Sequence, residues 1–112
     1  MHLDYMTGAL IIGNEPILLS VLESRVIEAI IEGGGRPVSA DEIAASLWPW
    51  TGGPDHATRS IYLAISRIRR KLGRWNHLLV CRTGVGYSTA IHATVKYGSR
   101  RHLRPQPIKI PA

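Results

Sequence analysis

Apolar positions recur along the chain in more than one rhythm. Two short runs, Ala9-Leu10-Ile11-Ile12 and Ile17-Leu18-Leu19, are rich in strand-forming side chains and flank Gly13-Asn14-Glu15-Pro16. Gly-Asn between two such runs predicts a small β-hairpin. From residue 20 the rhythm becomes helical. Ser20-Val21-Leu22-Glu23 has capping-box spacing, with the serine hydroxyl accepting from a helical N–H and the glutamate reaching back to the serine N–H. Leu22, Val26, Ala29 and Ile30 follow three or four apart until Gly33-Gly34-Gly35, which places a first helix over about residues 21–32. A second capping box, Ser39-Ala40-Asp41-Glu42, opens a second helix whose buried stripe is Ile43, Ala44, Leu47 and Trp48, and Pro49 stops it.

Two short helices on a tight Gly/Pro connection begin a helix-turn-helix pattern. Residues 49–54, Pro-Trp-Thr-Gly-Gly-Pro, can only be a loop. A third helix is expected from about Asp55 to Leu72. In it Ile61, Ile65, Ile68 and Leu72 fall within about 60° of one another at 100° per residue, a core stripe. The same arithmetic puts Arg59, Leu63, Ser66, Arg67 and Arg70 on the far side and Arg69 on a flank. Beyond Asp55 no acid stands on this helix to pair with its cations.

Beyond Gly73-Arg74-Trp75-Asn76-His77, the runs Leu78–Thr83 and Tyr87–Ile91 read as strands around the turn Gly84-Val85-Gly86. The order is that of an α+β winged helix-turn-helix: three helices, a short N-terminal β-hairpin and a C-terminal wing hairpin. The expected organisation is an N-terminal arm over 1–8, the winged helix over 9–91 and a basic tail over 92–112. Within that tail 93–97 can add a strand. No internal repeat is visible. Trp48 is expected in the core and Trp75 beneath the wing; Trp50 either covers the core or stands exposed as an anchor for a partner.

Charge sharpens the picture. Of 112 residues, the first 55 hold all eight acids and only two of the fourteen cations, Arg25 and Arg36. The remaining 57 hold the other twelve cations and no acid. Such a half-chain repels itself unless a polyanion lies beside it. Nucleic acid is the leading candidate, ahead of a membrane surface or an acidic protein. One cysteine, Cys81, cannot form an intrachain bridge and fits a reducing compartment. No apolar run approaches a membrane span, and the first residues lack the layout of a signal peptide.

Taken together, Leu19-Ser20-x-x-Glu23, Val38-Ser39-x-x-Glu42-Ile43, Leu47-Trp48, Arg59-Ser60-Ile61, Ile65-x-Arg67-Ile68-Arg69-Arg70-Lys71-Leu72 and Gly84-x-Gly86-Tyr87 resemble the OmpR/PhoB-type winged-helix effector domain of bacterial response regulators. The resemblance covers about residues 9–91. It implies a sequence-specific regulator of transcription that binds double-stranded DNA, with the third helix in the major groove and the wing along the minor groove. By position, Arg67, Leu63 and Ser66 are the candidates for base contact, although Leu63 can equally pack against a neighbour. Arg59, Ser60, Arg69, Arg70 and Arg74 are the candidates for phosphates. Arg82, Thr83, Gly84 and Gly86 form the wing, its glycines permitting a turn at positive φ. Trp50, Thr51 and Asp55 mark a loop that touches RNA polymerase in some members. Arg100, Arg101 and Arg104 make the tail a candidate second arm on DNA.

The chain departs from the family pattern in three ways. The family usually has four N-terminal strands, and here there is room for two or three. Arg82-Thr83 stands where Val-Arg is usual, which moves the cation one residue earlier and can turn it to the other face. No receiver domain is expected ahead of residue 9, nor control by phosphorylation in cis. The chain is either a stand-alone regulator or a fragment cut from a longer one, the initial Met and the basic tail favouring the former, and its expected place is the bacterial cytoplasm, at the nucleoid.

An enzyme is not expected, nor a cofactor or small-molecule substrate. Gly84-Val85-Gly86 lacks the third glycine and the helix of a dinucleotide loop. His77 and Cys81 make half a zinc site at best, and no pair of acids lies near the basic region to hold a catalytic metal. Expected partners are double-stranded DNA, RNA polymerase and a second copy of the chain on DNA, with no membrane. The rival class is a protein-interaction adaptor built on the same fold.

Overall fold

The computed structural model describes residues 1–50, 53 and 55–98. The expectations for Thr51, and for Arg100, Arg101 and Arg104 of the tail, lie outside the described residues. Strands β1 (His2–Asp4), β2 (Ala9–Ile12) and β3 (Glu15–Leu18) precede helices α1 (Val21–Glu32), α2 (Ala40–Leu47) and α3 (Ala57–Leu72). A 3-10 turn over Gly73–Leu78 leads to β4 (Leu79–Arg82), β5 (Gly86–Thr89) and β6 (Thr94–Lys96). The α+β winged helix-turn-helix is thus present, and α1 has the expected limits.

Both capping boxes form. Ser20 Oγ accepts from the Glu23 N–H at 3.2 Å while Glu23 accepts from the Ser20 N–H at 2.9 Å. Ser39 and Glu42 repeat the exchange at 3.1 and 3.5 Å. Each box satisfies helix-end N–H groups locally, which is why both starts were legible. The start of α3 was not. It begins at Ala57 rather than Asp55, because His56 takes a left-handed conformation (φ 67°) with no side-chain cap.

The N-terminal sheet corrects the expected arm. Residues 2–4 form β1, and the sheet runs β3-β2-β1-β6 with β6 parallel to β1. Leu3 is fully buried, so this segment belongs to the core. The optional strand near 93–97 exists as β6, pairing His2 with Thr94 and Asp4 with Lys96. Tyr97 then fastens the sheet to α1, its hydroxyl lying 2.9 Å from carboxylates of both Glu28 and Glu32. Across the sheet, Leu3, Leu10 and Ile17 pack with Val26 and Ile30 of α1, Ile43 of α2 and Ile61, Ile65 and Ile68 of α3 in one core. Trp48 is buried there, as its place at the end of the α2 stripe predicts.

Trp75 departs from expectation. It is half-buried against the core, and its indole N–H donates to Glu15 of β3 at 2.9 Å. The 3-10 turn carries the ring toward the N-terminal sheet, so Tyr62 and Tyr87, rather than Trp75, line the space under the wing.

Candidate nucleic-acid interface

Helix α3 turns Ile61, Ala64, Ile65, Ile68 and Leu72 inward, so its remaining side chains form an outward ridge. Arg59, Tyr62, Leu63, Ser66, Arg67 and Arg70 are all exposed on it. Ser60 and Arg69 are half-buried at its flanks. Asp41 of α2 accepts from the Thr58 hydroxyl at 3.3 Å, which fixes the two helices against each other at the start of the ridge.

The cations near this ridge divide by partner. Lys71 pairs with the buried Glu23 at 2.6 Å and so joins α3 to α1. Arg74 pairs with Glu15 at 3.1 Å and lies over the Trp75 ring. Hydrogen bonds from Trp75 and Arg74 hold the Glu15 carboxyl below the usual carboxylate range. Arg69 reaches the Asn76 carbonyl at 3.4 Å. Arg59, Arg67 and Arg70 have neither an ion pair nor a hydrogen bond among the described residues. Of the five candidates for phosphate contact, Arg59 and Arg70 therefore offer an uncommitted charge, whereas that of Arg74 is shared with a carboxylate.

The wing stands beside the ridge. In the β4–β5 hairpin Arg82 is opposite Gly86 and Cys81 is opposite Tyr87. Directly opposed residues share a face, so Cys81 lies beside Tyr87 and Arg82 beside Gly86. The tip is a turn closed by the Val85 N–H on the Arg82 carbonyl at 2.9 Å, with Gly84 at φ 77°. Gly86 has a different task. A β-carbon there would sit 2.5 Å from the Val38 carbonyl group, so only glycine lets β5 approach the turn before α2. Tyr87 and Val38 exchange both backbone hydrogen bonds at 2.8 Å, which ties the wing to that turn.

Tyr62 was not singled out from the sequence. It lies about 100° round the helix from Ile61 and so on the border between core stripe and ridge. The structure places it 52% exposed, with its ring 6.5 Å from that of Tyr87. In the loop after α2, Trp50 is 67% exposed and does not cover the core; Asp55 is also exposed. Among the described residues, no group of three His, Cys, Asp or Glu side chains is placed to hold a metal, and no helix is long and apolar enough to cross a membrane.

Residues 14–89, from the β2–β3 turn to the last residue of the wing, match the family described as "Transcriptional regulatory protein, C terminal". The chain belongs to that family. Its members are effector domains of the OmpR/PhoB type, found in bacteria, and the kind of function is that of a DNA-binding transcription regulator, not of an enzyme class. The chain is similar to the response regulator protein PmrA of Pseudomonas aeruginosa (strain PAO1), 28% identical over 87 residues. That stretch is 78% of this chain and 38% of the length of PmrA. The family match starts at residue 14, so β1 and β2 lie before it and β6 lies after it.

Proposed function

We propose that this chain recognises specific sequences in double-stranded DNA, with α3 in the major groove and the wing at the minor groove. One observation carries the reading: Arg59, Arg67 and Arg70 stand exposed on one ridge of α3 with no carboxylate partner among the described residues. Uncompensated cations on a single helix face are what a phosphate-lined groove neutralises. In this reading Arg67, Leu63 and Ser66 meet base edges, while Arg59, Ser60, Arg69 and Arg70 hold the backbone on either side. Arg82 and Thr83 bring the wing to a phosphate or the minor groove, and two copies of the chain bind adjacent half-sites.

The test is the salt dependence of duplex affinity. The three to four phosphate contacts of α3 and the wing in one copy contribute about −3 to −4 to the slope of log affinity against log salt, at roughly 0.9 per contact, apart from any contribution of residues 99–112. A flat slope would contradict the reading. The exposed Trp50 supports a second role for the same fold, as an adaptor whose loop docks on a protein such as RNA polymerase. In that case Trp50→Ala weakens the protein complex and leaves duplex affinity unchanged.

A further inference from the structure

If α3 and the wing both contact DNA, as proposed above and as this inference assumes, the angle between them decides which groove positions they reach together. The wing is held at its base, where Leu79 joins the core and Ser88 is buried, and along one edge. Tyr87 and Gly86 lie against Val38, but the outer part of the hairpin, Cys81 to Val85, is exposed throughout. Toward α3 the inner face of the wing meets one aromatic side chain of the ridge. The Tyr62 and Tyr87 rings stand 6.5 Å apart at 60°, within the range of tilted aromatic pairs. Both rings line a cleft of about 200 Å³ between wing and helices, together with Ser39, Cys81, Arg82 and Gly84. No hydrogen bond to the Tyr62 hydroxyl is formed among the described residues, so the ring is what this contact uses.

Tyr62 is a stiff spacer, with two side-chain torsions between backbone and ring and a helix beneath it. Arg82 is the last residue of β4, opposite Gly86 and beside the exposed tip of the hairpin. Tilting the hairpin about its tie at Val38 therefore swings Arg82 relative to Arg67. We propose that Tyr62 is a positioning residue for DNA recognition: its ring, packed on Tyr87, props the wing at a fixed angle over α3 and sets the spacing between the two contacts with DNA.

The experiment uses the full chain and the variants Tyr62→Phe, Tyr62→Ala, Tyr87→Leu, Arg82→Ala and Tyr62→Ala/Arg82→Ala. In the free protein, NMR order parameters of the wing amides 82–86 should fall in Tyr62→Ala, with those of α1 and α2 unchanged. Tyr62→Phe should match the wild type, and Tyr87→Leu, which removes the other ring, should reproduce Tyr62→Ala. On a duplex selected with the wild type, Tyr62→Ala should lose hydroxyl-radical protection on the wing side and keep the same major-groove motif. Its affinity loss should not add to that of Arg82→Ala, the double variant staying within about twofold of Arg82→Ala alone. The proposal is overturned if the wing stays as ordered in Tyr62→Ala as in the wild type. It is equally overturned if Tyr62→Phe loses as much affinity as Tyr62→Ala, or if Tyr62→Ala rewrites the major-groove motif, since Tyr62 would then touch DNA itself. If the wild type enriches no duplex, the DNA reading falls, and the wing order parameters still decide whether Tyr62 holds the hairpin.

Discussion

Glu23 joins two helices through one carboxylate. Oε1 accepts from the Ser20 N–H at 2.9 Å and from Lys71 Nζ at 2.6 Å, on a residue only 4% exposed. Burial alone would raise its pKa, but the bonds and charge supplied by Lys71 and Ser20 outweigh that and hold it below the ordinary glutamate value. A carboxyl lowered in this way contributes stability above its unfolded pKa of about 4.3 and loses it as pH falls through the folded value. Melting followed from neutral to acid pH should show that loss below about pH 4–5. Glu23→Gln should be less stable by about 1–3 kcal/mol near neutrality, with the gap closing in acid; a gap that persisted would mean that the charge of Glu23 is irrelevant. On the ridge, Arg67→Ala should cost about 1–3 kcal/mol on the best duplex and relax preference at one position. Arg70→Ala should weaken all duplexes alike, because a phosphate carries no sequence information. An unchanged motif with Arg67→Ala would remove Arg67 from the base-reading role. Helical arithmetic was enough to put both arginines outward, since it needs only positions a few residues apart. It could not reveal the Lys71–Glu23 bridge, whose partners are 48 residues apart, nor whether a wing would cover the flank where Tyr62 sits.

At the level of elements, local chemistry was legible and distant pairing was not. The capping boxes at Ser20 and Ser39 and the Gly13-Asn14 turn involve groups within three residues, so a short window of sequence contains the whole interaction. Strand β1 has three residues; it pairs antiparallel with β2 across the turn at residues 5–8, which lacks an Asn-Gly-type signal, and in parallel with β6, about 90 residues away in the chain. Only Leu3 among its side chains is buried, too little for a period to show. The two wing glycines appeared equivalent in sequence, yet they differ in what a side chain would meet. Gly84 has open space at φ 77°, so Gly84→Ala should cost about 1–2 kcal/mol through backbone strain alone. Gly86→Ala must drive β5 away from Val38 and should cost more, about 2–3 kcal/mol, with loss of the contact proposed between the wing and DNA. Denaturant titration of the two variants checks the order. If Gly84→Ala is the worse, the close approach at Val38 is not what anchors the wing.

Across the whole molecule, charge separates by use. Acids of the first half are drawn into ties that hold the fold: Glu15 to Arg74, Glu23 to Lys71 and Glu42 to Arg36. The cations left over on α3 face outward, and residues 99–112 add Arg100, Arg101, Arg104 and Lys109 with no acid. If that segment lies along DNA, deleting it should flatten the salt slope by up to about 3–4 units and leave base preference in the α3 site intact. An unchanged slope would leave the segment outside the DNA complex. Whether the ridge of α3 reads sequence is decided by selection from a pool of randomised duplexes. The wild-type chain should enrich one motif over successive rounds, and Arg67→Ala should broaden it at a single position. Recovery of random sequence by the wild type would mean that α3 does not read bases.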